Sequence, residues 1–89
     1  MKGSVLRKRY ILIHSEYGIN GIDKYLYNHY SVKRKYKNNN FAIFMCNQFN
    51  KDIIIKMLEK KGYGVIYVSG TIKKCKKIMN AFIEKNILQ

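Results

Sequence analysis

Six consecutive apolar residues, Phe41-Ala42-Ile43-Phe44-Met45-Cys46, constrain this chain more than any other feature. The run is continuous rather than alternating, as a central buried strand would be. Asn38-Asn39-Asn40 stand just before it and signal a turn, because asparagine tolerates positive φ. Ahead of the turn lies Tyr30-Ser31-Val32-Lys33-Arg34-Lys35-Tyr36-Lys37. Tyr30, Val32, Arg34 and Tyr36 share one parity there, which predicts a strand with one charged face. Its lysines suit a sheet edge, where they discourage edge-to-edge pairing. The two runs and the turn predict a hairpin over 30–46.

The flanking segments complete a pattern. Tyr10-Ile11-Leu12-Ile13-His14 reads as a strand behind a basic lead. Ile22, Tyr25, Leu26 and His29 follow helical spacing, which predicts a helix near 21–29 with Asn20 as its N-cap. Ile54, Met57 and Leu58 mark a helix over 51–61. Asn50 is its expected cap, Asp52 lies in its first turn, Lys60 and Lys61 in its last, and Gly62 just past it. Val65-Ile66-Tyr67-Val68 is a further strand. After Ser69-Gly70-Thr71, with Thr71 the expected N-cap, one helical face carries Ile72, Cys75, Ile78, Met79, Phe82 and Ile83. The order is strand, helix, strand, strand, helix, strand, helix. Its first six elements make a ferredoxin-like split βαβ pair (β-α-β-β-α-β) in the α+β class. That predicts a four-stranded antiparallel sheet, two helices on one face and an added C-terminal helix. Residues 1–89 read as one domain, since a chain this short has surface enough to bury only one thin core.

Charge narrows the function. Eighteen Lys and Arg against five Asp and Glu leave a net +13, which calls for a polyanionic partner rather than an ordinary metabolite. With 47% apolar residues the chain is no disordered basic tail. No apolar run is long enough to span a bilayer, and Met1 to Arg7 lacks the apolar core of an export signal. Nor is there the exposed aromatic stripe that a membrane-surface helix needs. Cys46 and Cys75 form no CxxC, and His14 and His29 do not bring the ligand count to a zinc site. Both cysteines are expected as small apolar residues, reduced and close to the core. The five acids, Glu16, Asp23, Asp52, Glu59 and Glu84, are scattered, and no Ser or Cys is spaced with a His as a nucleophile would be. No catalytic centre is expected.

Three features suit nucleic acid. Basic residues cluster at Arg7, Lys8 and Arg9, at Lys33, Arg34, Lys35 and Lys37, and at Lys73 and Lys74 with Lys76 and Lys77. Interleaved tyrosines, Tyr10 among them, add stacking surfaces to phosphate contacts. Secondly, lysines crowd the start of the last helix, where the helix dipole disfavours them. That arrangement makes sense if an anion docks on the Ser69, Gly70 and Thr71 turn. Thirdly, Lys61-Gly62-Tyr63-Gly64-Val65-Ile66-Tyr67-Val68 nearly matches the RNA-recognition-motif pattern. Yet Val65 replaces the second stacking aromatic, and the run belongs to a fourth strand rather than a third.

Arg9-Tyr10-Ile11-Leu12 behind its basic lead, and Val68-Ser69-Gly70-Thr71-Ile72-Lys73-Lys74-Cys75 before the last helix, resemble the small protein subunit of archaeal and eukaryotic ribonuclease P. In eukaryotes that subunit, of the "Pop-five" type, is shared with ribonuclease MRP. Cys46-Asn47-Gln48 is similar to the family's Cys-polar-basic segment. The resemblance extends over about residues 7–85 and is specific at the two ends. It implies a non-catalytic subunit that binds and stabilises a catalytic RNA, with a TIM-barrel-like protein as neighbour and precursor tRNA as the substrate of the complex. The protein would bind no cofactor of its own, Mg²⁺ being used by the RNA. Arg9, Tyr10, Gly70, Thr71, Ile72 and Lys73 carry over by motif position. Adding the basic clusters, the RNA-binding set comprises Arg7, Lys8, Arg9, Tyr10, Lys33, Arg34, Lys35, Lys37, Ser69, Gly70, Thr71, Lys73, Lys74 and Lys77. The location implied is the nucleus or nucleolus of a eukaryote, or the cytoplasm of an archaeon. Typical members are longer, with an N-terminal helix, a charged C-terminal tail and a longer stretch before the Phe41 strand. The alternatives are a free-standing single-strand RNA binder of the RNA-recognition type and a ribosomal protein. The first requires the Lys61–Val68 run on a middle strand with Tyr63 exposed on the sheet.

Overall fold

A computed structural model of the chain describes residues 7–16, 18–19, 21–38 and 40–87. Asn20, expected to cap the first helix, lies outside them, as do Asn39 of the turn and residues 1–6. The elements are β1 (Lys8–His14), α1 (Ile22–Tyr30), β2 (Lys33–Asn38), β3 (Phe41–Asn47), α2 (Lys51–Lys60), β4 (Gly64–Ser69) and α3 (Ile72–Ile87). The strands form one sheet in the order β2-β3-β1-β4, with every neighbouring pair antiparallel. This is the ferredoxin-like order, in which β1 and β2 are parallel with β3 between them, and β3 and β4 are parallel around β1. The 30–46 hairpin forms, although its first half is corrected: Tyr30 is the last residue of α1, and the strand starts at Lys33.

Two apolar cores lie on opposite faces of the sheet. Ile11, Ile13, Ala42, Phe44 and Cys46 point to one face and pack with Ile22 and Leu26 of α1 and Ile54 and Leu58 of α2. Leu12, Phe41 and Ile43 point to the other and pack with Cys75 and Met79 of α3, and with half-buried Ile72, Ile78, Phe82 and Ile83. The added helix therefore closes the second face. Its 16 residues extend ~24 Å across the strands. Central strands that alternate between two covered faces need apolar residues at every position, which is the reason for the unbroken Ile11–Ile13 and Phe41–Phe44 runs. The free thiols Cys46 and Cys75 are buried on opposite faces, so they cannot pair.

Two bulges adjust the outer strands. The β2 register passes from Arg34↔Phe44 to Tyr36↔Ile43, leaving Lys35 as the extra residue. Val32 and Arg34 thus face α1, whereas Tyr36 turns to the α3 side, and the single parity read from the sequence is broken. In β4 the register passes from Leu12↔Tyr67 to Ile13↔Val65, with Ile66 as the extra residue. The bulge puts Val65 and Val68 against one core, and Ile66 and Tyr67 against the other.

Helix ends follow the sequence signals in part. Gly62, at φ 94°, closes α2: its amide reaches the Glu59 carbonyl at 3.1 Å, and the Tyr63 amide reaches that of Leu58 at 3.0 Å. This is a Schellman arrangement, and it needs a residue free to adopt the left-handed region. Asn50 occupies the N-cap position of α2 but its side chain makes no capping bond. Asn47 Oδ1 accepts the Asn50 amide instead, at 2.8 Å, and forms the turn into the helix. Thr71 does cap α3, its Oγ1 accepting the Lys74 amide at 3.3 Å.

Candidate nucleic-acid interface

The topology determines which basic residues meet. β1 begins where β3 and β4 end, since Lys8 pairs with Asn47 and Tyr10 with Ser69. β2 begins at the same end, with Lys33 opposite Met45. α2 and α3 also start there, because each follows directly on β3 or β4. One end of the sheet therefore gathers Arg7, Lys8, Arg9, Lys33, Gly70, Thr71, Lys73 and Lys74. Gln48 of the Cys46-Asn47-Gln48 segment joins them, as does Lys51, which was not singled out from the sequence. Arg7, Lys8, Lys33, Lys73 and Lys74 are exposed. Among the described residues there are two ion pairs, Arg34–Asp23 and Lys51–Asp52, so none of these five has an acidic partner there.

Arg9 links the strand starts to the α3 turn. Its Nη2 donates to Gln48 Oε1 at 3.4 Å, and its Nη1 to the Lys8 carbonyl at 3.3 Å. The same Nη1 would lie 3.3 Å from a Cβ on Gly70, so the glycine leaves room for the guanidinium beside the backbone. Arg9 and Lys51 also act on Cys46 from this end. Burial pushes that thiol up to about 11, and the two cations partly oppose the shift. Burial likewise raises Cys75, opposed by a backbone hydrogen bond from Ser69. Neither thiol is ionised near neutral pH, and neither is a nucleophile.

The α3 turn is both braced and open. Ser69 Oγ accepts the Thr71 amide at 3.2 Å, while Thr71 Oγ1 takes that of Lys74. Both hydroxyl oxygens accept backbone amides within the turn. The Ile72 and Lys73 amides belong to the first turn, where no carbonyl precedes them in the helix. The start of α3 thus combines backbone donors, partial positive charge and two exposed lysines, which is the chemistry of a phosphate contact.

Other sequence-predicted residues fall elsewhere. Arg34 turns to α1 and holds Asp23 at 2.6 Å. Lys35 sits exposed on the bulge, and Lys37, opposite Ala42, is at the far end of the sheet. Lys77 is exposed on the second turn of α3. Tyr10 is half-buried beneath α3, and its carbonyl accepts the Cys75 thiol proton at 3.4 Å. It is thus a packing residue rather than an open stacking platform. Tyr36 is capped by Lys76, whose Nζ lies 4.6 Å above the ring. The Lys61–Val68 run passes from the close of α2 into β4 at the sheet edge, with Tyr63 packed against the α1–α2 core. The stacking face that the RNA-recognition alternative needs is occupied by α3.

Among the described residues no group of three His, Cys, Asp or Glu side chains could hold a metal ion, and no helix is long and apolar enough to cross a membrane. No protein-family model, curated protein or solved structure matches the chain.

Proposed function

We propose that this chain is a non-catalytic RNA-binding subunit of ribonuclease P, and of ribonuclease MRP where that enzyme exists. The observation that carries the RNA part is the gathering of Arg7, Lys8, Arg9, Lys33, Lys73 and Lys74 along one end of the sheet, from Lys33 at the β2 edge to the α3 turn at the β4 edge. Exposed lysines and arginines meet phosphates and position the protein on a folded RNA, without reading sequence themselves. The ribonuclease P part rests on the resemblance of Arg9–Leu12 and Val68–Cys75 to that family.

In this reading the RNA performs the Mg²⁺-dependent cleavage that frees the 5′ leader of precursor tRNA, and the chain stabilises the RNA's active conformation. It supplies no acid, base or metal. Phe49, 65% exposed in the turn before α2, and Ile53, 55% exposed in its first turn, give the TIM-barrel-like partner subunit an apolar contact next to the basic end. The complex works in the nucleus or nucleolus of a eukaryote, or in archaeal cytoplasm.

The test is to tag the chain in its own cell, crosslink lightly, purify it and sequence the bound RNA. The reading predicts one dominant structured RNA with a ribonuclease P or MRP core, and precursor-tRNA cleavage in the eluate. Ribosomal RNA would favour the ribosomal alternative, and a broad set of messages a free-standing single-strand binder.

A further inference from the structure

At the basic end, β3 runs on past the start of β2. The β2 register ends at Lys33↔Met45, whereas β3 continues through Cys46 and Asn47. The sheet edge is open there, and the end of α1 stands beside it. Lys8, Tyr30, Ser31, Met45, Cys46 and Asn47 line a cleft of about 270 Å³ between them. That falls just below the ~300–1,000 Å³ of drug-sized ligand sites.

We infer that this cleft takes one unpaired RNA base. The inference rests on the reading that the chain binds RNA, and it specifies which RNA feature the chain prefers. Tyr30 and Met45 are half-buried and supply apolar walls of the kind against which a base face packs. Asn47 Oδ1 is fixed by the Asn50 amide, which leaves its Nδ2 to donate to a base oxygen. Ser31, exposed at the rim, is the left-handed C-cap of α1 at φ 58°, its amide reaching the Tyr27 carbonyl at 3.0 Å. Lys8 lines the cleft itself, and Lys33 pairs with Met45 on the same face. A base entering the cleft thus carries its phosphates onto exposed lysines. The cleft straddles the open sheet edge: Tyr30 and Cys46 belong to the α1–α2 side, whereas Met45 and Asn47 are in phase with Ile43 on the α3 side.

The experiment uses the intact chain and two RNA hairpins, identical but for one bulged position, a uridine in one and an abasic nucleotide in the other. Anisotropy titrations over a range of salt give affinity and salt slope. The inference predicts a roughly five- to hundredfold weaker complex with the abasic hairpin, at an unchanged slope. Equal affinities overturn the cleft assignment and leave the RNA reading standing. Absence of binding to either hairpin overturns both. A 5-iodouridine at the bulge locates the base: a photo-adduct on Tyr30 or Met45 supports the inference, and adducts confined to other peptides overturn it. Uridine 5′-monophosphate that competes as tightly as the uridine hairpin would make this a free-nucleotide site and likewise overturn it.

Discussion

Replacing Lys73 and Lys74 together with glutamine should weaken RNA binding and at the same time stabilise the fold. Both side chains are exposed in the first turn of α3, and neither forms an ion pair among the described residues. No acidic residue occupies that turn to offset them. Positive charge next to a helix N-terminus costs several tenths of a kcal/mol per residue at low salt. Removing two charges should therefore gain about 0.5–1 kcal/mol, and a domain of this size shifts its Tm by about 4–8 °C per kcal/mol. Glutamine is a good helix former, so propensity does not reverse the sign. On the RNA side, each lost phosphate contact reduces the slope of log K against log salt by about 0.7–0.9, so the pair should lower it by about 1.4–1.8. The assays are thermal melting at low salt and binding titrations at several salt concentrations. An unchanged slope would refute the placing of phosphate at this turn. A lower Tm would refute the claim that the lysines are held there against the helix dipole.

Met79 is fully buried in the α3-side core, so Met79→Ala should cost about 2–5 kcal/mol by chemical denaturation and loosen α3 from the sheet. Gly62→Ala should cost about 1–2 kcal/mol, because φ 94° is left-handed backbone and the position is otherwise open. The raised Cys46 thiol makes stability fall as pH climbs from about 9 towards 11: the unfolded thiol ionises first, while the folded one keeps its proton. Cys46→Ala should flatten that part of the pH–stability curve, as denaturant titrations across this range would show. Both buried thiols should resist alkylation at pH 8 in the native state and react once denaturant is added.

Local signals served well where they were self-contained. Lys60, Lys61 and Gly62 placed the end of α2 within a residue, because a Schellman closure depends only on its own few residues. Thr71 acted as a cap for the same reason. The parity of Tyr30, Val32, Arg34 and Tyr36 failed because a bulge at Lys35 shifts the alternation, and the bulge depends on pairing with β3. Asn50 was expected to cap α2, yet Asn47, three residues earlier, has the side chain positioned for its amide. The position of α3 was implicit in the sequence: Ile11-Leu12-Ile13 has no polar face, so both sides of β1 need cover. The basic clusters were plain as charge, but only strand order brings Arg9 to Gly70 and sends Lys37 to the opposite end. Lys51 carries no such signal because it stands alone in sequence and joins the cluster only through the fold.

The most direct measurement is crosslinking of the purified chain to a ribonuclease P RNA, with the attached peptides identified by mass spectrometry. An interface at the basic end predicts crosslinks at Arg7 to Arg9, at Lys33 and across Ser69 to Lys74. Crosslinks concentrated at Lys60, Lys61 and Lys85, at the other end of the sheet, would contradict it.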